Sequence, residues 1–140
     1  MRLRLPRSVF AFAAATVPLT ACGGSDGTLH ITDAGDLCRE IYRNLDEARI
    51  DLNERLLWDG GAETLPQARQ KADAIARIVA LQTDDDEFRF YLKAAAILLP
   101  NLQRALDDAE AGRAARDEDQ AVIEQLRLIA RTCEERGHRR

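Results

Sequence analysis

The chain has 140 residues, of which 46% are apolar, 5% aromatic and 31% charged, with four prolines and eight glycines. That length favours one small domain, and the composition excludes a fully disordered, fibrous or low-complexity chain. The formal net charge is −4, and Arg2, Arg4 and Arg7 lie ahead of every acid, so the chain beyond them is more acidic still. Such a body argues against nucleic acid as a partner, because phosphate binding needs a basic surface.

Residues 1–7 (MRLRLPR) form a positive start, and Ser8–Ala21 (SVFAFAAATVPLTA) carries no charge. An apolar run that short falls below the length of about 20 residues needed to cross a bilayer as a helix. It suits the core of a secretory signal, whose positive end stays on the cytoplasmic side. There is no twin arginine ahead of it, which leaves the general secretion route.

The signal ends at Leu19-Thr20-Ala21-Cys22. These four residues resemble the lipobox of bacterial lipoprotein precursors: a branched aliphatic, a small residue, Gly or Ala, then Cys. The resemblance implies that the Cys22 thiol receives a diacylglyceryl group through a thioether. Cleavage after Ala21 then makes Cys22 the first mature residue, with palmitate or similar chains on its thioether-linked glycerol and on its amine. A thiol suits this chemistry because a thiolate is a strong nucleophile near neutral pH. Gly23 in place of Asp resembles lipoproteins that are not retained at the inner membrane of two-membrane bacteria. Localisation on the extracytoplasmic face of the cell membrane follows, and the membrane becomes a partner through the acyl chains. The resemblance covers residues 1–22 alone.

Gly23–Thr32 (GGSDGTLHIT) lacks periodicity and reads as a flexible tether, with Leu29 and Ile31 as the residues able to dock on the body. The expected division is therefore 1–21 signal peptide, 22–32 lipidated N-terminus and tether, and 33–140 helical domain.

From Asp33 onward the apolar period is helical. A first helix, capped by Thr32 or Asp33, carries Leu37, Cys38, Ile41, Leu45, Ala48, Leu52 and Leu56, and Gly60-Gly61 is its expected stop. Thr64-Leu65-Pro66-Gln67 has the form of a capping box with proline in the first turn. The second helix then shows Ala68, Ala72, Ile75 and Val79 and ends near Thr83. The third begins at Thr83 and carries the cleanest stripe: Phe88, Leu92, Ala95, Leu99, Leu102, Leu106 and Ala109. Pro100 is expected to kink it or break it near Leu98–Leu99. Gly112 ends it. The fourth starts within Arg113–Asp117, shows Val122, Leu126, Ile129 and Cys133, and stops at Gly137. Four helices, each with one apolar face, close on one another, so the expected fold is all-α: an antiparallel four-helix bundle in up-down-up-down order.

With Cys22 assigned to lipid, Cys38 and Cys133 remain. The first lies at the start of the first helix and the second at the end of the fourth, both on apolar faces. In that order of helices the two share one end of the bundle, and export delivers the chain to a compartment where disulfides form. A Cys38–Cys133 bridge is the prediction.

No catalytic constellation stands out. There is no Gly-rich phosphate loop, and no serine follows Ser25. His30 and His138 lie in the expected tether and tail, without partners at metal-ligand spacing. No catalytic residue, metal site or cofactor is expected. Asp84–Glu87 could hold a cation, but four acids at a helix start more simply interact favourably with the helix dipole. Asp107, Asp108 and Glu110, and the run Asp117-Glu118-Asp119, read as solvated faces. Trp58, Phe90 and Ile50 lie off the main stripes; together they would mark a partner surface, and separately they are ordinary surface apolars. The basic tail Arg136–Arg140 could touch anionic lipids or cell-wall polymers, and more simply reads as a frayed, solvated end that also suits the negative pole of the fourth helix. The function that follows is a lipid-anchored envelope protein, not an enzyme, with a binding or structural role toward a protein partner. The alternatives are a bundle that binds a small apolar ligand near Pro100 and Ala94-Ala95-Ala96, and an accessory subunit of an envelope enzyme.

Overall fold

A computed structural model describes residues 29–54, 56–113 and 119–140. The segment 1–28, with Leu19-Thr20-Ala21-Cys22, lies outside the described residues, as do Asp117 and Glu118. Among the described residues there are four α-helices and no strand: α1 (Ala34–Glu47), α2 (Leu65–Val79), α3 (Asp86–Glu110) and α4 (Asp119–Glu135). α1 packs against α2 and α4, and α3 packs against the same two, so the helices close a bundle with α1 and α3 across the diagonal.

The apolar stripes face inward. Leu37, Cys38, Ile41 and Leu45 of α1, Ala68, Ala72 and Ile75 of α2, and Val122, Leu126, Ile129 and Cys133 of α4 are all buried. So are Phe88, Leu92, Ala95, Leu99, Leu102 and Leu106 of α3. Their spacing of three and four residues keeps them on one face of each helix, and that face is removed from water only by the neighbours. α3 runs through Pro100 without interruption, so the expected break does not occur. Pro100 is exposed and sits on the solvent side of the helix. Gly112 and Gly137, at φ +74° and +86°, follow the ends of α3 and α4 as expected.

The first helix is shorter than its pattern suggests. It ends at Glu47, far ahead of Gly60-Gly61. Arg49 adopts φ +55°, its N–H donates to the Asp46 carbonyl, and the Ile50 N–H donates to the Leu45 carbonyl. This is a Schellman ending with an arginine where glycine is the usual residue. Its apolar clasp is Ile50 against the core, so Ile50 is only 1% exposed rather than part of a surface patch. The chain then crosses to α2 as a loop held from α4 and the tail. Arg127 donates to the Leu52 and Glu54 carbonyls, and Arg140 donates to the Ile50 carbonyl. Leu52 is consequently half-buried, and Leu56 lies exposed outside any helix. Left-handed backbone costs a non-glycine residue about 1–2 kcal/mol. Arg49→Gly is therefore expected to raise the unfolding free energy by about 1 kcal/mol, read as a higher urea midpoint with an unchanged slope; a lower midpoint would contradict this account of the turn.

The other caps differ in detail. Asp33 caps α1 by accepting from the Asp36 N–H at 2.9 Å. Thr64 is the N-cap residue of α2, but its backbone is helical and its hydroxyl donates to Asp59 and to the Gly61 carbonyl. The expected capping box is thus replaced by a turn closed on Asp59, which also accepts from the Gly61 N–H at 2.9 Å. The hydrogen bond from Thr64, followed by that N–H, holds the Asp59 carboxyl below its ordinary range. α3 begins at Asp86, with Asp85 rather than Thr83 as its cap.

Residues 29–32, expected at the end of the tether, are docked. The Ile31 N–H donates to the Gln82 carbonyl at 2.8 Å, and the Gln82 N–H donates to the Leu29 carbonyl at 2.9 Å. This one parallel bridge lays Ile31 against the core beside the α2–α3 connection.

Candidate functional site

Of the sequence-predicted residues, Cys38, Cys133 and His138 gather at one end of the bundle, and Cys22 lies outside the described residues. Cys38 and Cys133 are joined, with Cα atoms 5.8 Å apart. Both are buried, so the bridge ties the start of α1 to the end of α4 inside the core. One turn along α1, the buried Tyr42 hydroxyl donates to the His138 carbonyl at 3.1 Å. Burial raises the Tyr42 pKa. The His138 N–H donates back to the Cys133 carbonyl, and its ring lies so close to Gly35 that a Cβ there would meet it at 3.0 Å.

The acidic run at the start of α3 faces this same end. Asp85 accepts from the Glu87 and Phe88 N–H groups at 3.1 and 3.2 Å, which satisfies two of the helix's unpaired donors. It also pairs with Arg136, whose other nitrogen donates to Glu87 at 2.9 Å. The Arg136 guanidinium sits 4.7 Å from the Phe88 ring centroid. Arg136 is therefore a clamp between the ends of α3 and α4. Arg140 adds a second clamp, donating from Nε to Asp46 at 2.7 Å. The basic tail is folded onto the body at these two residues, in contrast to the expected frayed end, because each guanidinium finds carboxylates and carbonyls in reach.

These contacts carry a pH dependence. The Arg136 hydrogen bond is the largest influence on Asp85 and holds its carboxyl below the usual range. A depressed folded pKa means stability that is present above the unfolded value, about 4, and lost as pH falls through the folded one. Arg136→Gln is expected to cost about 1 kcal/mol at pH 7. It is also expected to flatten the acid limb of stability below about pH 4. Urea midpoints measured across that range for both proteins check the point, and parallel acid limbs would contradict it.

Elsewhere the side chains are paired across the bundle. Arg69 of α2 bridges to Asp107 at 2.7 Å and Glu110 at 2.6 Å on α3. Arg113 bonds Asp108 at 2.8 Å. So three of the acids read as solvated faces are in ion pairs. The buried Asn44 accepts from Arg77 at 2.9 Å and donates to the Glu40 carbonyl at 2.9 Å, a polar link between α1 and α2 that the apolar pattern did not mark. His30 lies 3.2 Å from Asp84 on the surface. Among the described residues no group of three or more His, Cys, Asp or Glu side chains is arranged to hold a metal.

Surface grooves include three lined by described residues. One of about 580 Å³ runs past Leu56, Trp58, Gln67 and Lys71. Another of about 490 Å³ lies between His30, Gln82, Arg89, Lys93 and Ala96. A third of about 330 Å³ lies by Tyr42, Arg127, Arg131 and Arg140. Pro100 lines none of these three, and Ala95 is packed in the core. The suspected aromatic patch does not assemble: Ile50 is buried, and Trp58 is half-buried with its indole N–H donating to the Gly61 carbonyl at 3.0 Å. Phe90 does stand out at 68% exposure, and Ile97, which the sequence reading passed over, stands out at 75%. The signal for Ile97 was its position seven residues beyond Phe90, on the same helical face.

No family model, no curated protein and no solved structure matches this chain.

Proposed function

We propose that this chain is a lipid-anchored protein of a bacterial cell envelope, with a non-enzymatic binding or structural role toward a protein partner. The observation that carries this reading is Leu19-Thr20-Ala21-Cys22, placed after a positive start and an uncharged run of export length. In this reading residues 1–21 are the signal peptide, Cys22 is the acylated mature N-terminus, and the helical domain is held by it on the extracytoplasmic face. The Cys38–Cys133 disulfide supports the reading, since such bonds persist in compartments reached by export.

The bundle is proposed to run antiparallel, up-down-up-down. Three links between helix ends support that order: Cys38 to Cys133, Arg136 to Asp85, and Arg69 to Asp107 and Glu110. Each joins the start of one helix to the end of its neighbour.

Metabolic labelling with radioactive palmitate tests the anchor. The label enters the wild-type protein and is absent from Cys22→Ser. A wild-type protein that stays unlabelled would end the proposal.

A further inference from the structure

We propose that the solvent-facing side of α3 around Phe90 and Ile97 rests on the surface of the same bilayer that holds Cys22, so that the domain lies against the membrane in one orientation. This rests on the lipid-anchor reading above. Two observations on the folded domain lead to it.

The first is the chemistry of that face. Phe90, Lys93, Ala94 and Ile97 follow one another at spacings of three, one and three residues, which places them on one side of the helix. Phe90 and Ile97 are the two most exposed large apolar side chains among the described residues, at 68% and 75%. The Phe90 ring stands edge-on to Tyr91, with centroids 5.6 Å apart. Tyr91 in turn packs against the core, so the exposed ring is set on a fixed support. Lys93 is exposed between the two apolar side chains. Apolar side chains flanking a cation suit an interface in which acyl chains lie beneath phosphate headgroups.

The second is where the chain leaves the domain. Leu29 and Ile31 are bonded to Gln82, next to the start of α3, and His30 lines a groove with Arg89, Lys93 and Ala96. The chain toward Cys22 therefore departs beside the Phe90–Ile97 half of α3. Leu29 lies only seven positions beyond Cys22. Fully extended, that stretch reaches no more than about 25 Å. Leu29, itself 52% exposed, must lie within that distance of the acylated sulfur. The short reach keeps this end of α3 near the headgroups, and the exposed apolar pair lies beside the departing chain. α1, by contrast, packs against α2 and α4 and lies across the bundle from α3.

The test uses the mature, acylated full-length protein in vesicles of phosphatidylethanolamine and phosphatidylglycerol. Matching vesicles carry lipids brominated near the headgroup end of the chain. Phe90→Trp and Ile97→Trp each add an indole at an exposed site, and Arg39→Trp adds one on α1; the wild type gives the Trp58 background. Brominated lipid is expected to quench the added emission about twofold in the two α3 variants, as for a side chain at interfacial depth. The Arg39→Trp emission is expected to be unchanged. Protein that floats with the vesicles but shows no quenching in either α3 variant would overturn the docking and leave the anchor standing. Equal quenching at all three sites would overturn the single orientation. Unquenched emission together with a doubled mass in detergent would assign this face to a second copy of the chain, against the proposal. Protein that fails to float with the vesicles would remove the anchor, and the docking with it.

Discussion

Reduction of the Cys38–Cys133 bridge is expected to lower the unfolding free energy by about 4 kcal/mol. The sequence separation of 95 residues sets this scale, because a cross-link withdraws more freedom from the unfolded chain as the loop it closes grows longer. The bridge spans almost the whole described domain. Few other single features act on so much of the chain at once. A domain of this size is stable by about 5–15 kcal/mol in total, so the reduced form retains a fold but with a much smaller margin. The folded-to-unfolded ratio falls roughly a thousandfold. Urea unfolding of the oxidised and reduced protein measures the difference. Equal midpoints would show that the bridge adds nothing to a bundle already fixed by its core. Both sulfurs are buried, so substitution by alanine removes packing as well as the cross-link, and reduction is the cleaner comparison.

Replacement of Cys22 by serine is expected to have the largest effect on where the protein is found. Each buried CH₂ adds about 0.8 kcal/mol to membrane affinity; one acyl chain holds a protein marginally, and two hold it stably. A serine hydroxyl lacks the thiolate nucleophile and accepts no thioether-linked chains. The wild-type protein is expected to stay with membranes through an alkaline carbonate wash. The Cys22→Ser protein is expected to be extracted, because its remaining apolar run is too short to span a bilayer. No described helix is long and apolar enough to do so in its place. Equal retention of the two proteins would contradict the anchor.

The core was legible in the sequence because burial on a helix repeats every three or four residues, and Phe88 through Leu106 kept that repeat across Pro100. The disulfide was legible for the same reason: Cys38 and Cys133 each fell on an inward face. The end of α1 was not. Leu52 and Leu56 continue the apolar period, whereas the helix stops because Arg49 takes a left-handed backbone and Ile50 folds onto Leu45. Arginine at that position gives no composition signal; glycine would have. Thr64 shows the reverse case, a correct cap position whose hydroxyl turns to Asp59 instead of to its own helix. The tail also escaped the pattern. Arg136 and Arg140 find their acids some 50 and 94 residues away, a pairing that only the packed helices create. As for a site, the most informative surface feature, Phe90 with Ile97, emerged only once exposure could be read along α3.

The sulfur at position 22 carries the proposed anchor. Mass spectrometry of the N-terminal peptide from cell-made protein examines it directly. The predicted result is a chain that begins at Cys22, with the added mass of a diacylglyceryl group on its sulfur. A mature chain that begins at any other residue, or at a Cys22 without added mass, would contradict it.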